Sequence, residues 1–394
     1  MHDPRSTRSF WTLAAVGAAL TGIGFAAAHF MESRGHVVTG MGNEVVWGLP
    51  HVFAIFMIVA ASGVLNMASL GSVFGQAPYK ARARLSGLLS LALLAGGLMV
   101  LMLDLGRPER VLVAATHYNF RSVFAWNVFL YSGLAAIVLV YLWTMLQPGL
   151  ARWSKPAGIA ALAWRFVLTT GTGSIFGFLV AREAYRSALL APLFILFSLA
   201  WGLALFLLVE AVLQARGAAA APDAVRERMA RLLAIFVAAC LYLVAVQHIT
   251  HGYEARRGGF QAFLLLGRGG GATYAALFWA GYVLLGSVLP LALLFHPRWR
   301  TQRGVTAAAA LVLLGAFAWL YAFIVGGQAF PLEIFPGHAV RSSFGDGAVA
   351  RYVPSLPEAL LGAGGLGAAW LLTLVGMHLF DMKPHDAPAA PAKA

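Results

Sequence analysis

The ionisable groups at the ends of long apolar stretches are the residues of this chain with the means to do chemistry. The stretch LALLAGGLMVLMLDLGRPER runs apolar residues straight into Asp104, with Arg107 three positions on and Pro108 closing the helix at about residue 107. A carboxylate in the last turn opposes the helix dipole, and inside a membrane such a group costs about 2.5–3.5 kcal/mol unless it is paired or wetted. Two readings stand open: a helix-end salt bridge with Arg107, and a protonatable carboxylate at the mouth of a pocket, tuned by burial against Arg107.

In VWGLPHVFAIFMIVAASGVLN, Trp47 and His51 are four apart and share a helix face. Asn66 stands 15 residues beyond His51, about 22 Å along a continuous helix and about 60° round it, which leaves two readings open: one polar track, or an interfacial Trp47, a His51 bonded to a neighbouring carbonyl and an Asn66 that joins helices. HYNFRSVFAWNVFLYSG brings Tyr118, Asn119 and Arg121, with His117, Ser122 and Asn127, beside Asp104 across a short loop. AVQHITHGYEARR places Gln247, His248 and His251 at the end of another span. His51 and His248 on facing helices would meet the ligand requirement of a b-type haem, against the plainer reading of core histidines. Arg165 and Glu210 lie on adjacent spans at similar depth, as a buried ion pair or as a proton entrance.

The elements that position these groups follow from composition. The chain has 394 residues, 60% of them hydrophobic and 11% charged, with mean hydropathy +0.77, which defines an all-α integral membrane protein rather than a soluble domain. Ten apolar spans are expected, over residues 10–30, 46–74, 85–104, 121–146, 158–181, 187–213, 229–250, 272–296, 304–327 and 357–380, leaving the whole chain as a single polytopic membrane domain. The first span follows Arg5 and Arg8 like a signal peptide, but its length is that of an anchor. The net charge of +13 comes from short basic clusters between spans, such as Lys80, Arg82 and Arg84, the signature of membrane orientation rather than of nucleic-acid binding. With both termini in the cytoplasm, sixteen Lys and Arg face inward and eleven outward. That orientation puts Asp104 and the longer loops, including FPLEIFPGHAVRSSFGDGAVARYVPS, on the outer side, while DMKPHDAPAAPAKA reads as a disordered tail. The single cysteine, Cys240, can supply neither a disulfide nor an iron–sulfur ligand set, so any metal cluster must belong to another subunit.

Three segments, VWGLPHVFAIFMIVAASG, LDLGRPERVL and HYNFRSVFAWNVFLYSG, resemble in order and spacing the NrfD/PsrC family, the membrane subunits of polysulfide reductase, nitrite reductase and related respiratory complexes. The ten spans, the segment FLLVEAVLQ and the closing RYVPSLPEALLG resemble its longer branch, which includes the hydrogenase membrane subunit HybB and the quinol-oxidising subunits of alternative complex III. The resemblance implies first and last helices flanking two four-helix bundles. It implies a menaquinone or ubiquinone site near the outer face of a bacterial cytoplasmic membrane. Its expected partners are a ferredoxin-like iron–sulfur subunit and a catalytic subunit of molybdopterin, hydrogenase or cytochrome type, and it implies no haem or metal in this chain itself. Carried over by motif, Asp104 is the acid/base carboxylate, Arg107 its electrostatic partner and His51 the ligand of a quinone oxygen.

Quinol oxidation needs a site that binds an amphipathic ring, hydrogen-bonds both oxygens and accepts two protons. A lipid-accessible slot walled by Trp47, Phe53 or Phe120, with His51 and Asp104 at opposite ends, is the expected arrangement. Protons then exchange either at the outer face or through Asn66, Arg165 and Glu210 to the cytoplasm. On this reading the chain is the quinone-binding subunit of an oxidoreductase rather than an enzyme alone. A secondary transporter and a haem b cytochrome are the competing classes.

Overall fold

A segment in hydrocarbon has no water to satisfy its N–H and C=O groups, so an apolar run of about 20 residues folds as a helix that satisfies them internally. In the computed structural model, the described residues are 4–218, 221–254, 258–332 and 347–380, with side chains from residue 9 onward and Ala114 excepted. Residues 1–3, 219–220, 255–257, 333–346 and 381–394 lie outside them. Among the described residues there is no strand, and ten helical stretches are long and apolar enough to cross a membrane.

In order the α-helices are α1 (Pro4–Arg34), α2 (Leu49–Val64), α3 (Asn66–Ser72), α4 (Ala77–Leu103), α5 (Val111–Thr116), α6 (Val123–Leu146), α7 (Ser154–Gly177), α8 (Leu190–Ala215), α9 (Asp223–Tyr253), α10 (Gly258–Leu266), α11 (Ala272–Ala276), α12 (Leu289–Phe295), α13 (Gln302–Ala329) and α14 (Leu356–Phe380). A π-helical segment, Leu277–Val288, joins α11 to α12 in one span. Helices α2, α4, α6 and α7 form one bundle, and α8, α9, α12 with its π-helical lead, and α13 form the second. The outer helices α1 and α14 pack on each other, and α14 also packs on α2 and α4. This is the architecture of two four-helix bundles with flanking helices.

The centre of the molecule is α2, which contacts α4, α7, α8, α13 and α14. Because it faces protein all round, its sequence is apolar all round, and thirteen of its sixteen residues are buried. It crosses α8 at two glycines: a Cβ on Gly63 would collide with the carbonyl oxygen of Ser198, and one on Gly202 with the backbone of Gly63. Small residues at such crossings let backbones approach where no hydrophobic effect drives helices together. Gly63→Ala is therefore expected to cost about 1–3 kcal/mol by forcing α2 and α8 apart, read as a lowered thermal midpoint of the detergent-purified protein; a midpoint equal to that of the wild type would refute the crossing.

The end of the bundles that carries His51 and Asp104 is termed the site end below. The opposite, basic end carries Lys80, Arg84, Arg228 and Arg300.

Candidate functional site

At the site end α2 opens after Gly48 with Leu49 and Pro50, and proline in a first turn sacrifices no helical hydrogen bond. His51 therefore sits in that first turn. Its ring stacks on Trp47 at a centroid distance of 5.9 Å, and Trp47 lies 5.6 Å from Phe176 of α7 and 5.9 Å from Phe124 of α6. The non-helical segment carrying Trp47 is held by Gln328, buried on α13: its Oε1 accepts from Val46 N and Trp47 N, both at 3.0 Å, and its Nε2 donates to Trp47 O at 2.9 Å. Arg182, between α7 and α8, donates to the carbonyls of Gln328 and Glu44. Four elements thus fix one indole.

Asp104 directly follows α4, where its own N–H still donates to Val100 O at 3.0 Å. Gly106, at φ +67°, then turns the backbone away. His51 Nδ1 stands 2.8 Å from Asp104 Oδ2, in an approach outside hydrogen-bonding angles. The two side chains differ in access: 16% of His51 is exposed and 1% of Asp104. Nε2 of His51 has no partner among the described residues.

A second carboxylate stands behind the pair. Glu358, in the first turn of α14, is fully buried. Its Oε2 accepts from Tyr352 Oη at 3.0 Å and from Ser355 N at 2.7 Å, and it lies within electrostatic range of Asp104. Tyr352 Oη accepts in turn from Leu49 N at 2.7 Å, tying α14 to the start of α2. Burial first, with the Glu358 charge adding to it, holds the Tyr352 hydroxyl well above its usual range, so it stays a donor. Sequence reasoning passes over Glu358, although a carboxylate at the second residue of an expected span is the same signal that singles out Asp104.

Several expectations are corrected. His51 and Asp104 do not face each other across a slot; they touch. Arg107 is exposed and forms no ion pair with Asp104 among the described residues; the turn at Gly106 carries it away. Asn119 and Arg121 are exposed, with Asn119 Oδ1 accepting from Arg121 N at 3.0 Å in a local turn. Tyr118 packs on Phe120 and Phe129. None of these three bonds to His51 or Asp104 among the described residues. Phe53 faces the other way, against Phe317 and under Gly362. The polar track fails at Asn66, because α2 breaks at Leu65 and the Asn66 amide folds back on Gly63 O at 2.7 Å. Glu210 pairs not with Arg165 but with Arg82 of α4, both side chains 4% exposed. Arg82 is no loop cation, since its helix starts at Ala77, eight residues earlier than expected. Arg165 instead donates to Ser62 O at 3.3 Å and stacks on Phe166, its Nε without a partner.

The two histidines weighed as haem ligands have separate surroundings. His51 stands against Asp104, while His248 Nδ1 bonds Gln261 Oε1 at 2.8 Å beside Phe278, next to a cavity of about 10 Å³, room for one water.

Two apolar helical bundles with a buried carboxylate–imidazole pair at one end, reachable only from the imidazole side, define a polytopic membrane protein with a polar site at the mouth of its bundles. The family description "Polysulphide reductase, NrfD" matches residues 37–332, and the chain belongs to the NrfD family. It is 29% identical to the Hdr-like menaquinol oxidoreductase integral membrane subunit of Archaeoglobus fulgidus, covering 96% of this chain and 95% of that one. It is 28% identical to a putative dimethyl sulfoxide reductase membrane subunit of Halobacterium salinarum, covering 92% and 89%, and 24% identical to a polysulfide reductase chain of Wolinella succinogenes, covering 73% and 96%. The family match stops short of α14, and so of Glu358.

Proposed function

We propose that this chain is the quinone- or quinol-reactive membrane subunit of a multi-subunit oxidoreductase, with the His51–Asp104 pair as its proton-handling centre. The observation that carries the reading is the one-sided access of the pair: a sealed carboxylate on Nδ1 and a free, reachable Nε2. The Asp104 carboxylate beside Nδ1 electrostatically favours a proton on that nitrogen and leaves Nε2 to accept one from a quinol hydroxyl, or to return one to a quinone oxygen. Trp47 offers the flat wall against which an aromatic ring stacks. Exposed Phe120, Phe124, Trp126 and Phe129 continue that wall toward lipid, a path suited to an isoprenoid carrier. A bound quinol supplies two electrons and two protons.

Arg107, Tyr118, Asn119 and Arg121 then form the rim over the site, where a ferredoxin-like iron–sulfur subunit docks, itself joined to a catalytic subunit. The basic end faces the cytoplasm and the site end the outer side of the cytoplasmic membrane, with both termini inside. The names of the relatives support a redox complex over a transporter. Of the two proton routes, the outer-face one has the better support, since the Asn66 amide closes on Gly63 O of its own chain segment and Arg165 donates to Ser62 O across to α2.

The test is binding of a hydroxyquinoline N-oxide to the assembled complex. His51→Ala is expected to weaken it about tenfold or more, the scale of one hydrogen bond to a charged or polarised group. Equal affinity in wild type and variant would remove His51 from the site.

A further inference from the structure

The buried carboxylate of Glu358 has one oxygen explained and one not. Ser355 and Glu358 form half of a capping box at the start of α14, with Oε2 accepting from Ser355 N and Ser355 Oγ making no return bond among the described residues. Such glutamates ordinarily sit in water; this one is fully buried, and among the described residues its Oε1 has no side-chain partner, only the Gly40 backbone standing near the carboxyl group. A bare carboxylate oxygen sealed in protein is costly unless it carries a proton or receives one. On one side of Glu358 stands Asp104. On the other, the Gly40 backbone and Tyr352 contact it, and just beyond them an open cavity of about 350 Å³ is lined by Gly40, Glu44, Ala350 and Arg351.

We propose that Glu358 is a proton-relay residue of the same site, taking protons from the His51–Asp104 pair and passing them to the water of that cavity. The inference rests on the quinone-site reading above. Oxidation of one quinol breaks two O–H bonds, forms two ring carbonyls, and sends two electrons singly to iron–sulfur acceptors of the partner subunit. Both protons leave through His51 Nε2, which must be cleared of the first before it accepts the second. Glu358, with Tyr352 as donor to its other oxygen, clears the pair. The relay commits proton release to the site end, so the electrons and the protons leave on one side. Among the described residues, the charged and titratable groups facing Glu358 are Asp104 at the end of α4, with His51 of α2 behind it, Tyr352, and Tyr321 of α13.

Glu358→Gln keeps an oxygen for Ser355 N and Tyr352 Oη, so it preserves the cap and removes only the exchangeable proton. In the assembled complex it is expected to bind the hydroxyquinoline N-oxide within about twofold of wild type and to lower turnover about 10- to 100-fold, the scale for a residue supporting a reactive group. It is expected to flatten one limb of the pH profile, and to erase a protonated-carboxyl band from the infrared difference spectrum of inhibitor binding. Tyr352→Phe, which removes only a hydroxyl, is expected to shift that band. An unchanged band and pH profile in Glu358→Gln would overturn the relay while leaving the site reading in place. Failure of the wild-type complex to bind the inhibitor would overturn both.

Discussion

Asp104→Asn is expected to lower quinol-linked turnover of the assembled complex about 100- to 10,000-fold, the range that a positioned acid or base contributes. Asparagine keeps the shape and fits the same 1% exposed place after α4, so the loss falls on chemistry rather than on folding. Without the negative charge 2.8 Å from Nδ1, nothing fixes the His51 proton on that nitrogen or balances the charge it gains at Nε2. Inhibitor affinity is expected to change far less than turnover, because Trp47 and Nε2 remain. Turnover within about threefold of wild type, in a complex assembled to normal yield, would take Asp104 out of the mechanism, since a general acid or base is worth far more than that.

The second large effect is expected at the Arg82–Glu210 pair. Both side chains are buried inside the helices, and removing one partner strands the other charge, at a cost of about 3–5 kcal/mol. Against a total stability of about 5–15 kcal/mol this is a large fraction. Glu210→Ala or Arg82→Ala alone is therefore expected to collapse the yield of monodisperse protein, whereas Arg82→Met combined with Glu210→Leu restores it, since the pair can be exchanged for packed apolar volume. Normal yield and thermal midpoint in the single variants would contradict the pairing. The double variant also bears on proton movement: retained turnover makes the pair structural, and lost turnover with restored folding places it on an interior route.

Hydropathy makes the ten spans legible, because a helix in lipid announces itself by length and composition, independent of its neighbours. It cannot say which helices touch. Asp104 and His51 stand out as ionisable groups at oily ends, but their contact joins α4 to α2, and no spacing along the sequence encodes that. Asn66 is misplaced by extending an ideal helix through Leu65, where the backbone breaks. Arg82 escapes because a Lys/Arg cluster looks the same whether it lies in a loop or lines the first turns of a helix. Glu210 then falls to the nearest cation in sequence-adjacent spans rather than to the one across the bundle. Glu358 carries the right signal, yet it lies within RYVPSLPEALLG, a segment that draws the eye for its resemblance rather than for its charge.

The partnership of α1 and α14 bears on how the molecule is made. The two helices meet so closely that a Cβ on Gly24 would come within 2.7 Å of the Gly364 backbone, and α14 brings Glu358 and its tie through Tyr352 to the head of α2. A ribosome delivers α1 first and α14 long afterwards, so a half-inserted polypeptide holds an imidazole and an acid with no finished surroundings. The head of α2, with His51 and Asp104 beside it, is therefore finished only when the tenth span enters the bilayer.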